Sequence, residues 1–455
     1  MRLIPTLLLM PALALAGEVP VTLADAMTWA DAANEGPAQA QAKVERAVAL
    51  RRQALALLLP SVSANGSYSS SASADAAWAT RPNNTLSGSI SANWYLFNAQ
   101  SWPGLRGAER QLDAARLDAG EARRSLAFQV ASGYLDVLAA EQTVAAAERR
   151  RVTAAQAFKD AQARTDAGLA ARGDVARAEV EDASAELALT SARRVLATAR
   201  VGLEDLVGRP LAGAFAQPID IDALSTGAAT VPVQAADGGS PAATVAALDV
   251  ADPAKRLLLV QTALNRADIA ARTADADAAA LAVRQQRGQY LPTVTANGSY
   301  SDSDSDVRGS PEPGPQWRAS ITASVTMFDA GAREAEIDAA IASRRQAQLV
   351  LQAARRRVIH DVALACENLA SARASVRQAE VQLRAAKINA EDVTARGKQG
   401  LATALEVADA NVSAFEADSG LVRQRLALAE AWLSLRQTIG LWPLADAPLA
   451  TVAKP

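Results

Sequence analysis

The chain has few reactive side chains, and their spacing limits the chemistry open to them. Its 455 residues contain one histidine, His360, and one cysteine, Cys366. A single cysteine allows no disulfide within the chain, and the pair is too small for a metal cluster built on His and Cys. Ser–His or Cys–His catalysis could draw on this pair alone. The two lie six residues apart in a helical pattern, which puts them on different faces. They read as ordinary helix residues; no enzyme, metal or cofactor site is expected. The other notable spacing is acidic. Glu406 and Asp409 stand three apart at the start of a helical stretch, hence on one helix face. Asp174 and Glu406 each follow a glycine turn (Gly168-Leu169 and Gly400-Leu401), where a carboxylate suits the positive end of the helix dipole. A plain solvated helix start would place these acids in the same way. Net charge is −3, from 46 basic and 49 acidic residues, so nothing proposes nucleic acid as a partner.

Such turns need long helices to carry them, and the composition supplies these. Alanine, the strongest helix former, recurs in runs such as 145–147 and 278–280. Over about 104–163, and again over about 332–395, there is no proline and almost no glycine. About 60 helical residues span roughly 90 Å. Val362, Leu369, Val376 and Leu383 recur every seven residues, and Val130, Val137 and Val144 occupy the matching places of the first stretch. A seven-residue apolar repeat is a coiled-coil pattern. Shorter helices are expected after each glycine turn, to about 206 and 439, and ahead of each strand pair, over about 23–58 and 255–289.

The chain repeats itself. LPSVSANGSYSS from Leu59 matches LPTVTANGSYSD from Leu291, and ARTDAGLAARGDV from Ala163 matches ARGKQGLATALEV from Ala395, both at an offset of 232 residues. Gly208 matches Gly440, followed by Pro210 and Pro443. The expected organisation is a first repeat over 17–210, a Gly-, Pro- and Ala-rich linker over 211–251, a second repeat over 252–443 and a tail over 444–455. Ahead of these, Arg2, an apolar run over 3–13 and Ala14-Leu15-Ala16 read as an export signal over 1–16. No apolar run is long enough to cross a bilayer as a helix.

Each repeat also holds two segments of strict alternation. Val62, Ala64, Gly66 and Tyr68 alternate with Ser61, Ser63, Asn65 and Ser67; Leu86, Ile90, Ala92 and Trp94 alternate with serines and Asn93. Val294 to Tyr300 and Trp317 to Met327 do the same in the second repeat. Period two gives a strand with one apolar and one polar face. The polar face is almost entirely Ser, Thr and Asn, as in the lumen of a membrane β-barrel, although a soluble sheet could present it too. Tyr68, Trp94, Tyr95, Phe97, Tyr290, Tyr300, Trp317 and Phe328 cluster on or beside these strands, as interface aromatics do. One chain supplies four strands, while a barrel in lipid must close and needs at least about eight. The membrane reading therefore requires several copies of the chain.

The duplicated Leu-Pro (Leu59-Pro60, Leu291-Pro292), the Phe-Asp-Ala-Gly transition from Phe328 to Gly331 and the two glycine turns together resemble the TolC family of outer-membrane efflux proteins. The first-half transition, Phe97-Asn98-Ala99-Gln100, lacks the glycine. The resemblance implies a mainly α fold with a small β part. Each chain would give four strands to a transmembrane β-barrel and helices to a long coiled-coil barrel, assembled as a homotrimer in the outer membrane and reaching into the periplasm. It implies a passive exit duct working with a periplasmic adaptor and an inner-membrane transporter. The adaptor would dock at the turns bearing Gly168, Leu169, Asp174, Gly400 and Leu401, and outer-membrane lipid would surround the strands. Glu406 and Asp409 fall where the family's best-known member rings its periplasmic entrance with aspartates. The tyrosine and arginine that lock that entrance are replaced by Gly397 and Ala402. A type I protein secretion duct would share the same fold, and a soluble periplasmic coiled-coil scaffold is the reading from a different class.

Overall fold

The computed structural model describes residues 20–74, 80–168, 171–211, 213–217, 230–233, 243–246, 252–305, 314–399 and 401–444. The export signal, Leu169, Gly400 and residues 445–455 lie outside them. The order of elements is α1 Leu23–Ala33, α2 Glu35–Ala56, β1 Ser61–Ala74, β2 Thr80–Phe97, α3 Ser101–Asp166, α4 Arg172–Val207, β3 Thr230–Val233, β4 Ala243–Ala246, α5 Pro253–Leu264, α6 Ala267–Arg287, β5 Thr293–Ser305, β6 Gln316–Ser324, α7 Ala332–Lys398 and α8 Ala404–Thr438. The two long helices have 66 and 67 residues, about 100 Å each at 1.5 Å per residue. Two compact units form from 1–37, 122–264 and 358–455, and from 38–121 and 265–357.

Two expectations need correction. The helix ahead of each strand pair is broken in two. In the first repeat the break is Asn34, whose extended backbone ends α1; its side chain accepts from the Gly36 N–H and donates to the Leu206 carbonyl. In the second repeat the break falls before Arg266, also extended, which caps α6. The segment expected as a linker contains an antiparallel hairpin, β3 against β4. Just before it, Phe215 makes a parallel bridge with Val21.

In the first unit the core gathers Leu126, Phe128, Val130, Tyr134 and Val137 of α3, Leu203 and Val207 of α4, and Ala429 and Leu433 of α8. The seven-residue stripe lies inside: Val130, Val137, Val362, Leu369, Val376 and Leu383 are buried, and Val144 is half-buried. Cys366 is buried and His360 exposed, on different faces of α7. Tyr134 Oη sits 2.7 Å from the Val21 carbonyl and 2.6 Å from that of Ala216. Its one hydrogen serves them in turn, tying both extended segments to α3. Burial pushes this phenol up to about 12, so it stays a donor at any ordinary pH. Each half ends its return helix on a glycine with positive φ, Gly208 at 72° and Gly440 at 89°. At Gly208 a Cβ would stand 2.7 Å from that of Ala33, so both the backbone and the space demand glycine there.

The second unit holds a four-stranded antiparallel sheet in the order β1-β2-β5-β6. Register places Ala64, Ile90, Tyr300 and Trp317 in one row across it, with Ser63, Ser91, Ser299 and Arg318 in the next row on the opposite face. The polar face is stitched by hydroxyl pairs: Ser63 with Ser91 at 2.8 Å, Ser67 with Ser87 at 2.7 Å and Thr293 with Ser324 at 2.9 Å. Such cross-strand pairs are worth about 0.2–1 kcal/mol each. The last strand stops at Ser324, short of the expected Met327; Val325 and Met327 belong to no regular element.

Candidate functional site

The second helix turn is built by its own side chains. Thr403 caps α8: its hydroxyl accepts from the Glu406 N–H at 3.2 Å, and the Glu406 carboxylate accepts from the Thr403 N–H at 2.7 Å and the Thr403 hydroxyl at 3.0 Å. This is a reciprocal capping box, encoded by Thr403-Ala404-Leu405-Glu406. These hydrogen bonds, with Arg396 adding a smaller pull, hold the Glu406 carboxyl below its usual range. Asp409 is exposed on the same helix, and its side chain makes no hydrogen bond or ion pair among the described residues. Leu401 is exposed at the turn, its N–H donating to the Arg396 carbonyl. Gly397 is buried under Val407, where an added Cβ would stand 2.8 Å from Cγ2. A side chain at this position would strike the returning helix.

The first turn differs. Ala171 caps α4 with no side-chain acceptor, and only half a capping box forms, the Asp174 carboxylate accepting from the Ala171 N–H at 3.3 Å. Arg177 lies 3.9 Å from Asp174, where the offset places Asp409 in the second turn. Gly168 has a φ of 72° and closes α3 by donating to the Thr165 carbonyl. Behind this turn, α3 is pinned by arginines that the sequence pattern left unmarked. Arg150 reaches Glu181 at 2.9 Å, Arg151 reaches Asp182 at 3.0 Å and Arg149 reaches Asp418 at 2.7 Å. Their signal was the run Arg149-Arg150-Arg151 within an otherwise alanine-rich helix.

The sheet sorts the aromatic residues by face. Tyr68, Trp94, Tyr300 and Trp317 lie on the apolar side and are exposed. Tyr95 does not join them: it pairs with Thr295, on the hydroxyl face. The bulge between Tyr95 and Phe97 then sets Phe97 opposite Val294, back on the apolar side, because one extra residue resets the period-two alternation. Trp94 Nε1 donates to the Leu58 carbonyl, fixing its ring at the strand end. Tyr290 stands before β5, its hydroxyl donating to Glu334 at 2.5 Å beneath the Arg333 guanidinium. Phe328 is exposed in the segment after β6.

An exposed apolar sheet face, a hydroxyl-lined reverse face and very long paired helices are the parts of a channel. The sequence model described as "Outer membrane efflux protein" matches residues 33–209 and 258–441. The chain belongs to the outer membrane efflux protein family. It is similar to the outer membrane efflux protein BepC of Brucella suis (25% identical, over 75% of this chain and 68% of that one) and to the outer membrane protein TolC of Vibrio cholerae (24%, over 84% and 82%). Among solved structures the fold matches the CusC channel with a TM-score of 0.77 at 20% identity, over 93% of each chain. It also matches VceC of Vibrio cholerae with a TM-score of 0.74 at 18% identity, over 93% of this chain and 97% of that one. An efflux-family protein of this kind is an outer-membrane protein, and its family and fold are those of channels.

Proposed function

We propose that the chain is the passive exit duct of a tripartite efflux pump, a homotrimer whose strands close one barrel in the outer membrane and whose helices form a tube through the periplasm. The observation that carries this reading is the sheet with its open edges. Its order leaves the outer edges of β1 and β6 without a partner strand among the described residues, one face is apolar and the other lined with hydroxyls, and an unpaired edge is not tolerated in lipid. Pairing β6 of one copy with β1 of the next closes the sheet and places Tyr68, Trp94, Phe97, Tyr300 and Trp317 toward lipid. The exposed turns at Gly168 and Asp174, and at Leu401, offer the ends of the helical pairs to a periplasmic adaptor, which links the duct to an inner-membrane transporter. Glu406 and Asp409, repeated three times, give a negative ring at the periplasmic entrance that favours cations. The capping role of Glu406 leaves Asp409 as the freer charge of the two.

Reconstitution in planar bilayers tests both parts. The trimer is expected to conduct with cation preference, and Glu406→Gln with Asp409→Asn is expected to shift the reversal potential toward zero and relieve block by multivalent cations. A soluble, non-conducting protein overturns the duct; unchanged selectivity reduces the two acids to a helix start. A type I secretion duct shares these properties and differs in the transporter that co-purifies.

A further inference from the structure

Where the strands give way to the helices, the two halves differ in chemistry. In the second half Asp329 pairs with Arg333 at 2.6 Å, the Arg333 guanidinium lies 4.7 Å from the centre of the Tyr290 ring, and the Tyr290 hydroxyl donates to Glu334. In the first half Asn98 stands in place of Asp329, and Leu58 in place of Tyr290. There α2, α3 and α6 enclose a cleft of about 310 Å³, lined by no charged side chain among the described residues. Its lining falls within one compact unit of one chain.

Two helices bring the same pattern to this cleft. Gly104, Ala108 and Gln111 of α3, and Ala278, Ala282 and Gln285 of α6, each follow at i, i+4 and i+7, which is one helix face. The helices run antiparallel here: a Cβ on Gly104 would stand 3.4 Å from Gln285 Nε2, and one on Gly107 3.9 Å from Leu281 Cβ. The two glutamines therefore mark opposite ends of the cleft, about 10 Å apart at 1.5 Å per residue. Between them those faces carry only glycine and alanine. Both glycine contacts are ordinary ones, so alanine would fit at either place. Glycine, a poor helix former, keeps the floor of the cleft open instead.

The polar groups around that floor have bonding capacity to spare. Ser101 is 6% exposed. The side chains of Gln100, Ser101, Gln111 and Gln285 make no hydrogen bond to any described residue, although a buried hydroxyl ordinarily has a partner. Asn98 accepts from the Gln100 N–H through Oδ1, and its amide N–H groups are unused. Each of these carboxamides offers both donors and an acceptor. Leu57 and Leu105 add an apolar wall.

We propose that this cleft binds a short neutral carbohydrate. Its hydroxyls would meet the carboxamides and Ser101, and its C–H faces would lie on the glycine and alanine floor. A few placed polar groups on a largely apolar lining are what orient a small ligand. A phosphate or ammonium headgroup would surrender its water here without a counter-charge, so a charged ligand does not fit. The sugar could belong to a glycan strand or to the head of a glycolipid, which share this chemistry. The proposal goes beyond the exit duct and does not depend on it, because one copy supplies every lining residue.

Saturation-transfer NMR on the full-length protein, purified in a detergent without sugar, tests it. N,N′-diacetylchitobiose is the probe for a glycan strand, methyl β-glucoside for a glycolipid head, and phosphoethanolamine for a charged head. Transfer to at least one of the sugars is expected. Gln111→Ala with Gln285→Ala is expected to weaken the binding at least tenfold, and Gly107→Leu, which fills the floor, to abolish it. Melting curves check that each variant is folded, and the glutamine pair carries the test alone if Gly107→Leu is not. A stronger response to one sugar assigns the source, and an equal response assigns the ring common to both. No transfer to either sugar overturns the proposal. So does undiminished binding in the folded variants, or phosphoethanolamine bound as well as the sugars.

Discussion

The two helix turns occupy the same places in the repeat and solve the same problem with opposite charge. At the first, an uncapped Ala171 is followed by Asp174, with Arg177 3.9 Å away. At the second, Thr403 and Glu406 cap each other, and Asp409 stands exposed where Arg177 would be. The sign reverses again further along the helices. Glu141, paired with Arg200 at 2.7 Å, has Arg373 as its counterpart. Glu204 accepts from the Leu211 N–H, whereas its counterpart Arg436 donates to the Trp442 carbonyl. A backbone segment crossing the end of the return helix is thus held by an acid in one half and by a base in the other. Duplication preserved the backbone geometry and left charge free to diverge at matched positions.

This contrast can be broken by exchanging the halves' residues. The largest effect is expected at the helix crossing behind each turn. Gly397 lies under Val407 with no room for a Cβ, while its counterpart Thr165 fits a side chain there but leaves its buried hydroxyl without a partner. Gly397→Thr is expected to cost about 1–3 kcal/mol through overpacking, read as a lower melting temperature. Thr165→Val, which removes the orphaned hydroxyl at similar size, is expected to be neutral or stabilising. Next come the caps. Thr403→Ala should loosen the start of α8 by about 1 kcal/mol, and Ala171→Ser should tighten the start of α4 by a similar amount, both read by amide hydrogen exchange at the turns; equal protection in all variants would deny the capping difference. The smallest effect is on pH. The Glu406 carboxyl is held below its ordinary value of 4.5 by its hydrogen bonds from Thr403. Its contribution is therefore present above that value and lost as pH falls through the lowered folded value. Protection of the α8 start should weaken in that acid window, and Glu406→Gln should remove the dependence.

Much of this was legible in residue order, for definite reasons. The strands announced themselves because Ser63, Ser91 and Ser299 alternate with apolar neighbours over eight or more residues, long enough for a period of two to stand out. The long helices did so because nothing in them breaks a helix. What escaped was short or local. Four-residue strands such as Thr230–Val233 are too brief to show a period. The bulge that turns Tyr95 to the hydroxyl face depends on pairing with β5, which no local pattern reveals. The break at Asn34 carries a local signal in Gly36-Pro37 that a helical average smooths over, whereas the one ahead of Arg266 has neither a breaker residue nor a side-chain cap. The Thr403-to-Glu406 box was legible as a threonine followed three residues later by glutamate. Reading Glu406 for its charge alone passes over its part in starting the helix.

The open edges of the sheet have a consequence for how working channels arise. A single copy placed in lipid would expose two rows of unpaired N–H and C=O groups, each costing several kcal/mol. On the closed-barrel reading proposed above, insertion is expected to be a collective event, steep in protein concentration, with no stable partial product. It also exposes the population to poisoning: a minority of chains with a damaged edge, co-expressed with intact ones, is expected to remove channels beyond its own share. That dominance would arise from the backbone rather than from any side chain.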